Sequence, residues 1–150
     1  MPTGFVYELH KLTRLLDRAA DGLLQEQEGL SYARFLTLFA VKMGATSQRD
    51  VARRLGQSEP STSRMVGLLA DEGWLDVEAV PGMGHRRELR LTRSGFSTVK
   101  RCAAFLETEF EGLMARSGVG RSIYERDTRR LLEQLEGERS PIARSRGAKA

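Results

Sequence analysis

Between Ser47 and Leu91 the spacing of apolar residues changes from a helical period to strict alternation, which constrains the fold more than any other feature of the chain. Ser47-Gln48-Arg49-Asp50 reads as a capping box, in which hydroxyl and carboxylate satisfy amides at the start of a short helix reaching Leu55. Gly56 turns the chain. Ser58 caps a second helix, and Pro60 fits its first turn because amides there have no intrahelical partner. Met65, Leu68 and Leu69 are expected on its buried side, and Gly73 stops it. The period then falls to two. Leu75 and Val77 alternate with Asp76 and Glu78, and Leu89 and Leu91 alternate with Glu88 and Arg90. Pro81-Gly82-Met83-Gly84-His85-Arg86-Arg87 lies between these runs, so the spacing predicts a hairpin with a basic tip.

Longer helices flank this stretch. Phe5, Leu9, Leu12, Leu16, Ala19 and Leu23 form one apolar face of a helix from Phe5 to about Gln25. After Gly29, Ser31 caps a helix from Tyr32 to about Met43 in which Phe35, Leu36, Leu38, Phe39 and Val41 crowd almost every side, and Gly44 closes it. A helix apolar nearly all round belongs in the middle of a fold. From Thr92 a long helix carries Phe96, Val99, Ala103, Leu106, Phe110 and Leu113 in a heptad-like seam. Ser117-Gly118-Val119-Gly120 breaks it, and a last helix carries Tyr124, Leu131, Leu132 and Leu135. The expected class is mainly α with a small β-hairpin wing: a winged helix-turn-helix over residues 31–95, flanked by long dimerisation helices from residues 1–30 and 96–137. Residues 138–150 are expected to form a disordered basic tail.

Charge supports this layout in a particular way. The formal net charge is +4, yet Arg139, Arg144, Arg146 and Lys149 lie beyond the last acidic residue, Glu138, so the tail holds the whole excess. Within the neutral body, Gly82 to Arg101 carries Arg86, Arg87, Arg90, Arg93, Lys100 and Arg101 against Glu88 alone. A basic stripe on a neutral body points to double-stranded DNA more directly than a high isoelectric point does. The second short helix would enter the major groove, where base edges are distinguishable, with Pro60, Ser61, Ser63 and Arg64 on its leading turns. Ser47, Ser58 and Arg49 are further DNA-contact candidates, and one arginine among Arg49, Arg53 and Arg54 is expected to touch phosphate. Arg86 and Arg87 would follow the backbone or reach the minor groove, and the glycines at 82 and 84 would let the tip approach closely.

At these residues the chain resembles the MarR family of transcription regulators. Leu55-Gly56, Ser61-Thr62-Ser63-Arg64-Met65-Val66, Leu69 and Glu72-Gly73-Trp74-Leu75 fall at the family's spacing for the recognition helix and its exit. Leu89-Arg90-Leu91-Thr92-Arg93-Ser94-Gly95 matches its leucine-threonine-glycine signature, and Gly29-Leu30-Ser31-Tyr32-Ala33-Arg34-Phe35 its second-helix entry. The resemblance spans nearly the whole length. It implies a homodimer held by terminal helices, binding a near-palindromic operator as a repressor and releasing it when a small aromatic or phenolic ligand enters a crevice. Candidate ligand contacts are His10, Tyr32 and Phe35, although core packing is the first role expected of Phe35 and Phe39. One departure stands out. The family places an aspartate before its wing arginine, whereas Gly84-His85 occupies that place here, so Arg86 and Arg87 are both candidates for the DNA contact.

Other classes find less support. No glycine-rich phosphate loop, nucleophile elbow or metal-spaced carboxylate set occurs, so neither an enzyme, a cofactor nor a metal is expected. The start lacks a secretion signal, no apolar run suits a membrane span, and a lone Cys102 fits a reducing cytoplasm. The alternatives are a winged helix used for protein contacts, or a redox-responsive regulator acting through Cys102. For that thiol a buried structural role is the bland reading and is preferred.

Overall fold

A computed structural model describes residues 4–137, and the tail expected over 138–150 lies outside them. In chain order the elements are α1 (Phe5–Glu28), α2 (Tyr32–Lys42), α3 (Gln48–Leu55), α4 (Glu59–Asp71), β1 (Leu75–Ala79), β2 (Arg87–Leu91), α5 (Arg93–Ser117) and α6 (Arg121–Gly137). They divide into one unit up to Leu106 and another from Glu107.

The first unit is built around α2. Ser31 caps it by accepting from the Arg34 amide at 3.2 Å, and Phe35, Thr37, Leu38, Ala40 and Val41 are buried along it. It packs against α1, α3, α4 and β2, which is why a helix apolar on nearly every side was needed there. Leu24, Leu30, Val51, Val66, Leu69, Leu75, Leu89 and Val99 complete the same core. Each fully buried leucine contributes about 1.5–3 kcal/mol relative to an exposed one. On α1 no residue of the expected apolar face is fully buried: Leu16 and Leu23 are half-buried, and Phe5, Leu9 and Leu12 remain 69%, 40% and 39% exposed. The one buried residue of the helix is Leu24, next to that face.

Two local expectations need correction. The buried side of α4 is Thr62, Val66 and Leu69, with Met65 half-buried. Leu68 faces outward at 39% exposure. At about 100° per residue, positions 62, 66 and 69 share a line that excludes 68. Thr62 tolerates burial because its hydroxyl donates to the Ser58 carbonyl at 3.0 Å. The capping box at α3 is also only half formed. Ser47 accepts from the Asp50 amide at 3.1 Å, but the Asp50 carboxylate receives the Arg53 and Arg54 guanidiniums instead of turning back to the cap.

The strands pair antiparallel, from Leu75 opposite Leu91 to Ala79 opposite Arg87. The Leu89 amide also donates to the Thr46 carbonyl at 2.8 Å, tying the hairpin to the loop before α3. The second unit holds the end of α5 and α6. There the Phe110 and Tyr124 rings meet in a tilted pair, centroids 6.4 Å apart, and Arg121 bonds Glu107 at 2.6 Å and also Glu111. Ile123, Leu131, Leu132 and Leu135 stay exposed. Among the described residues no helix is long and apolar enough to cross a membrane.

Candidate nucleic-acid interface

Gly56 sets the angle between α3 and α4. Its φ of 63° is left-handed, and its amide and that of Gln57 close the end of α3 on Arg53 and Ala52. The chain then re-enters a helix at Ser58, whose hydroxyl accepts from the Ser61 amide at 3.3 Å. With Thr62, Val66 and Leu69 fixed inward, helical rotation turns Pro60, Arg64, Gly67 and Asp71 outward, flanked by Ser61 and Leu68 on one side and Ser63 on the other. All seven are exposed. The sequence-predicted Pro60, Ser61, Ser63 and Arg64 therefore share one open face, and no ion pair among the described residues engages Arg64.

Gly67 and Leu68 had not been anticipated on that face. A side chain built on Gly67 would meet nothing within 4 Å, so the protein leaves the middle of the helix bare. The signal was present in the rotation from Thr62 and Val66, but reading Leu68 as core hid it.

The arginines of α3 separate clearly. Arg53 and Arg54 are both drawn to Asp50, at 2.6 and 3.1 Å, and Arg54 also donates to the Met43 carbonyl. These guanidiniums hold the Asp50 carboxyl below its usual pKa. Arg49 is different: its side chain is 90% exposed, and among the described residues its one ion pair is with the Glu59 carboxylate, at 3.5 Å. Ser47 is half-buried and Ser58 exposed, each with its hydroxyl accepting from a backbone amide. A hydroxyl in that state still has its proton to donate.

The wing differs in detail from a tip carrying both cations. Arg87 is the first residue of β2, and Arg86 lies just before it, its carbonyl accepting from the Val80 amide at 2.9 Å. The outermost turn is Pro81 to His85, with Gly82 and Gly84 both at positive φ. Arg86 and Arg87 are exposed at its base. The basic stripe is also shorter than its count. Arg101 forms a bidentate pair with Glu28, at 3.0 and 3.1 Å, and Arg90 leans on Glu88 at 3.5 Å. Arg86, Arg87, Arg93 and Lys100 remain.

The other candidates fall elsewhere. Tyr32 stacks on Phe35 at 5.9 Å, and Phe35 on Phe39 at 5.4 Å. Phe35 is core, 5% exposed, and Tyr32 is half-buried, its hydroxyl pushed to a higher pKa by burial and then by the Asp17 charge. From α1 it is Asp21 that reaches this point, accepting from the Tyr32 amide at 2.9 Å, while His10 is exposed. Cys102 is fully buried, and burial raises its pKa, with Glu28 adding to the rise and Arg101 opposing it. That environment disfavours a thiolate.

Two short helices meeting through a left-handed glycine, the second bare on its polar face, beside a hairpin tied back to the first, make this a winged helix-turn-helix protein. Residues 28–88 match the MarR family model. Solved structures agree in fold. MarR of E. coli in its apo form is 17% identical, with a TM-score of 0.72 over 90% of this chain and 97% of that one. MepR of S. aureus, solved as a DNA complex, is 20% identical, with a TM-score of 0.68 over 89% and 95%. A Staphylococcus aureus MarR solved with salicylate and kanamycin is 15% identical, with a TM-score of 0.67 over 90% and 89%. No curated protein matches the chain in sequence.

Proposed function

We propose that this chain is a sequence-specific, DNA-binding transcription regulator that acts by binding rather than by chemistry. The observation that carries the reading is the exposed face of α4. Ser61, Ser63 and Arg64 stand clear of the protein's own elements, with Arg86 and Arg87 exposed on the hairpin. Arg64 donates to a guanine edge, the serines meet bases or phosphate, and the wing arginines and Arg49 engage the backbone. MepR, alike in fold, was solved on DNA, which supports the same role here.

The working form is a homodimer in the cytoplasm. Phe5, Val6, Tyr7, Leu9, Leu12 and Leu15 on α1, and Ile123, Leu131, Leu132 and Leu135 on α6, are large apolar side chains left in water. Such surfaces are what a twofold interface buries. Two recognition helices then meet a near-palindrome with half-sites about one helical turn apart. A regulator seated in the groove excludes other proteins from the same duplex, which makes repression the direct outcome. A small aromatic effector binds beside Tyr32, a role supported by the salicylate found with the S. aureus relative. It releases DNA only to the extent that it prefers the non-binding state.

Fluorescence anisotropy with selected and random duplexes tests the reading. Arg64→Ala should weaken the selected duplex by about 1–3 kcal/mol and the random one far less. No binding to any duplex at low salt would overturn it in favour of a protein-contact module. Sedimentation should give a dimer that Leu12→Asp dissociates, and salicylate should displace the duplex.

A further inference from the structure

The recognition helix opens with a charge of the wrong sign for a polyanion. Glu59 is the first residue of α4, directly after the capping Ser58, and its side chain is 65% exposed. Its neighbours on the leading turns are neutral or cationic: Ser58, Pro60, Ser61, Ser63 and Arg64. A carboxylate beside the groove raises the energy of every complex by repulsion from the phosphates, unless a base edge donates a hydrogen bond to it.

Its setting is consistent with use and adds little as scaffolding. Arg49, in the first turn of α3, brings its Nε to 3.5 Å from one Glu59 oxygen, bridging the leading ends of the two helices. Both side chains are largely in water, where such a pair contributes little to stability. A carboxylate in a first helical turn is also mildly favoured by the helix dipole. By helical rotation Glu59 falls between Val66 and Ser63, at the margin of the open face, and its place in the first turn is what puts it at the leading end. The arginine partly neutralises the carboxylate, orients it, and leaves its second oxygen able to accept.

Donors in the major groove are the exocyclic amines of cytosine and adenine. Adenine sets its N7 acceptor beside its amine, where it would face a carboxylate oxygen unfavourably, whereas cytosine presents its amine without that neighbour. We infer that Glu59, positioned by Arg49, is a specificity-determining residue that demands a cytosine at one position of the recognised duplex. The inference deepens the DNA-binding reading and rests on it.

Selection from a randomised duplex pool tests it with the wild-type chain, Glu59→Ala and Glu59→Gln. Wild type should enrich cytosine at one position, and replacing that pair in the selected duplex should weaken binding roughly tenfold. Glu59→Ala should lose preference at that position alone and bind random duplex several-fold more tightly. Glu59→Gln should turn the preference toward adenine, whose amine and N7 match an amide. One motif recovered from all three proteins overturns the inference and leaves the DNA-binding reading standing. Loss of all duplex binding in Glu59→Ala, with the wild-type motif retained in Glu59→Gln, also overturns it, since that pattern marks a structural role. If wild type binds no duplex, the DNA-binding reading fails and takes the inference with it.

Discussion

Gly95 lies against the carbonyl of Trp74 so closely that a Cβ at that position would overlap the carbonyl oxygen. Thr92 joins the two sides: its amide donates to the same carbonyl at 3.2 Å, and its hydroxyl donates to Gly73 at 2.8 Å while accepting from the Gly95 amide at 3.0 Å. The leucine-threonine-glycine signature is thus a clamp between the exit of α4 and the start of α5. Gly95→Ala should destabilise the chain by about 1–3 kcal/mol, because backbone must move to admit the methyl group. Urea unfolding measures this, and an unchanged midpoint would mean the approach is looser.

Gly67 offers the opposite case, a glycine with open space outside it. Gly67→Ala should raise stability by about 0.5–1 kcal/mol, since glycine is costly in a helix interior. Gly67→Trp should fold as wild type and fail to bind duplex, because the ring would fill the space the groove needs. Thermal unfolding and anisotropy on the same preparations separate the two effects.

The wing prediction concerns salt. Arg86→Ala with Arg87→Ala should reduce the slope of log affinity against log salt by about 2 if each arginine meets one phosphate. An unchanged slope would remove the hairpin from the interface.

Glu28 governs one part of the acid response. Its hydrogen bonds from Arg101 lower its pKa against the ordinary 4.5, with burial opposing. A carboxyl whose folded pKa is depressed stabilises the protein above its unfolded pKa, and that contribution disappears as pH falls through the folded value. The melting temperature of wild type should therefore exceed that of Glu28→Gln near neutrality, with the gap closing below about pH 4.5. A constant gap would mean that the loss in Glu28→Gln comes from packing.

Cys102 should be inert in the folded state. Being buried with a raised pKa, it should react with a thiol reagent at mildly alkaline pH only after denaturant is added. Peroxide should leave duplex affinity the same in wild type and Cys102→Ser. Rapid labelling of the native protein would reopen the redox alternative.

The hairpin, the caps at Ser31 and Ser58, and the turn at Gly56 were legible because each depends on a few adjacent residues. Their period, hydroxyls and glycines act locally. The open face of α4 was legible through Pro60, Ser61, Ser63 and Arg64, but Leu68 was misread because a leucine carries no label for which way its helix will roll. Thr62 was missed for the converse reason, as its hydroxyl is satisfied within its own helix.

The sequence alone determined the order of helices and strands and the polar edge of α4, because those follow from spacing along the chain. Only the tertiary structure decided which charges remain available. Arg101 is taken by Glu28, 73 positions away, and Arg53 and Arg54 by Asp50, while Arg64 and the wing arginines stay open. Whether a charge is spent inside the protein or left for a partner depends on groups brought near by folding, and linear spacing does not contain that information.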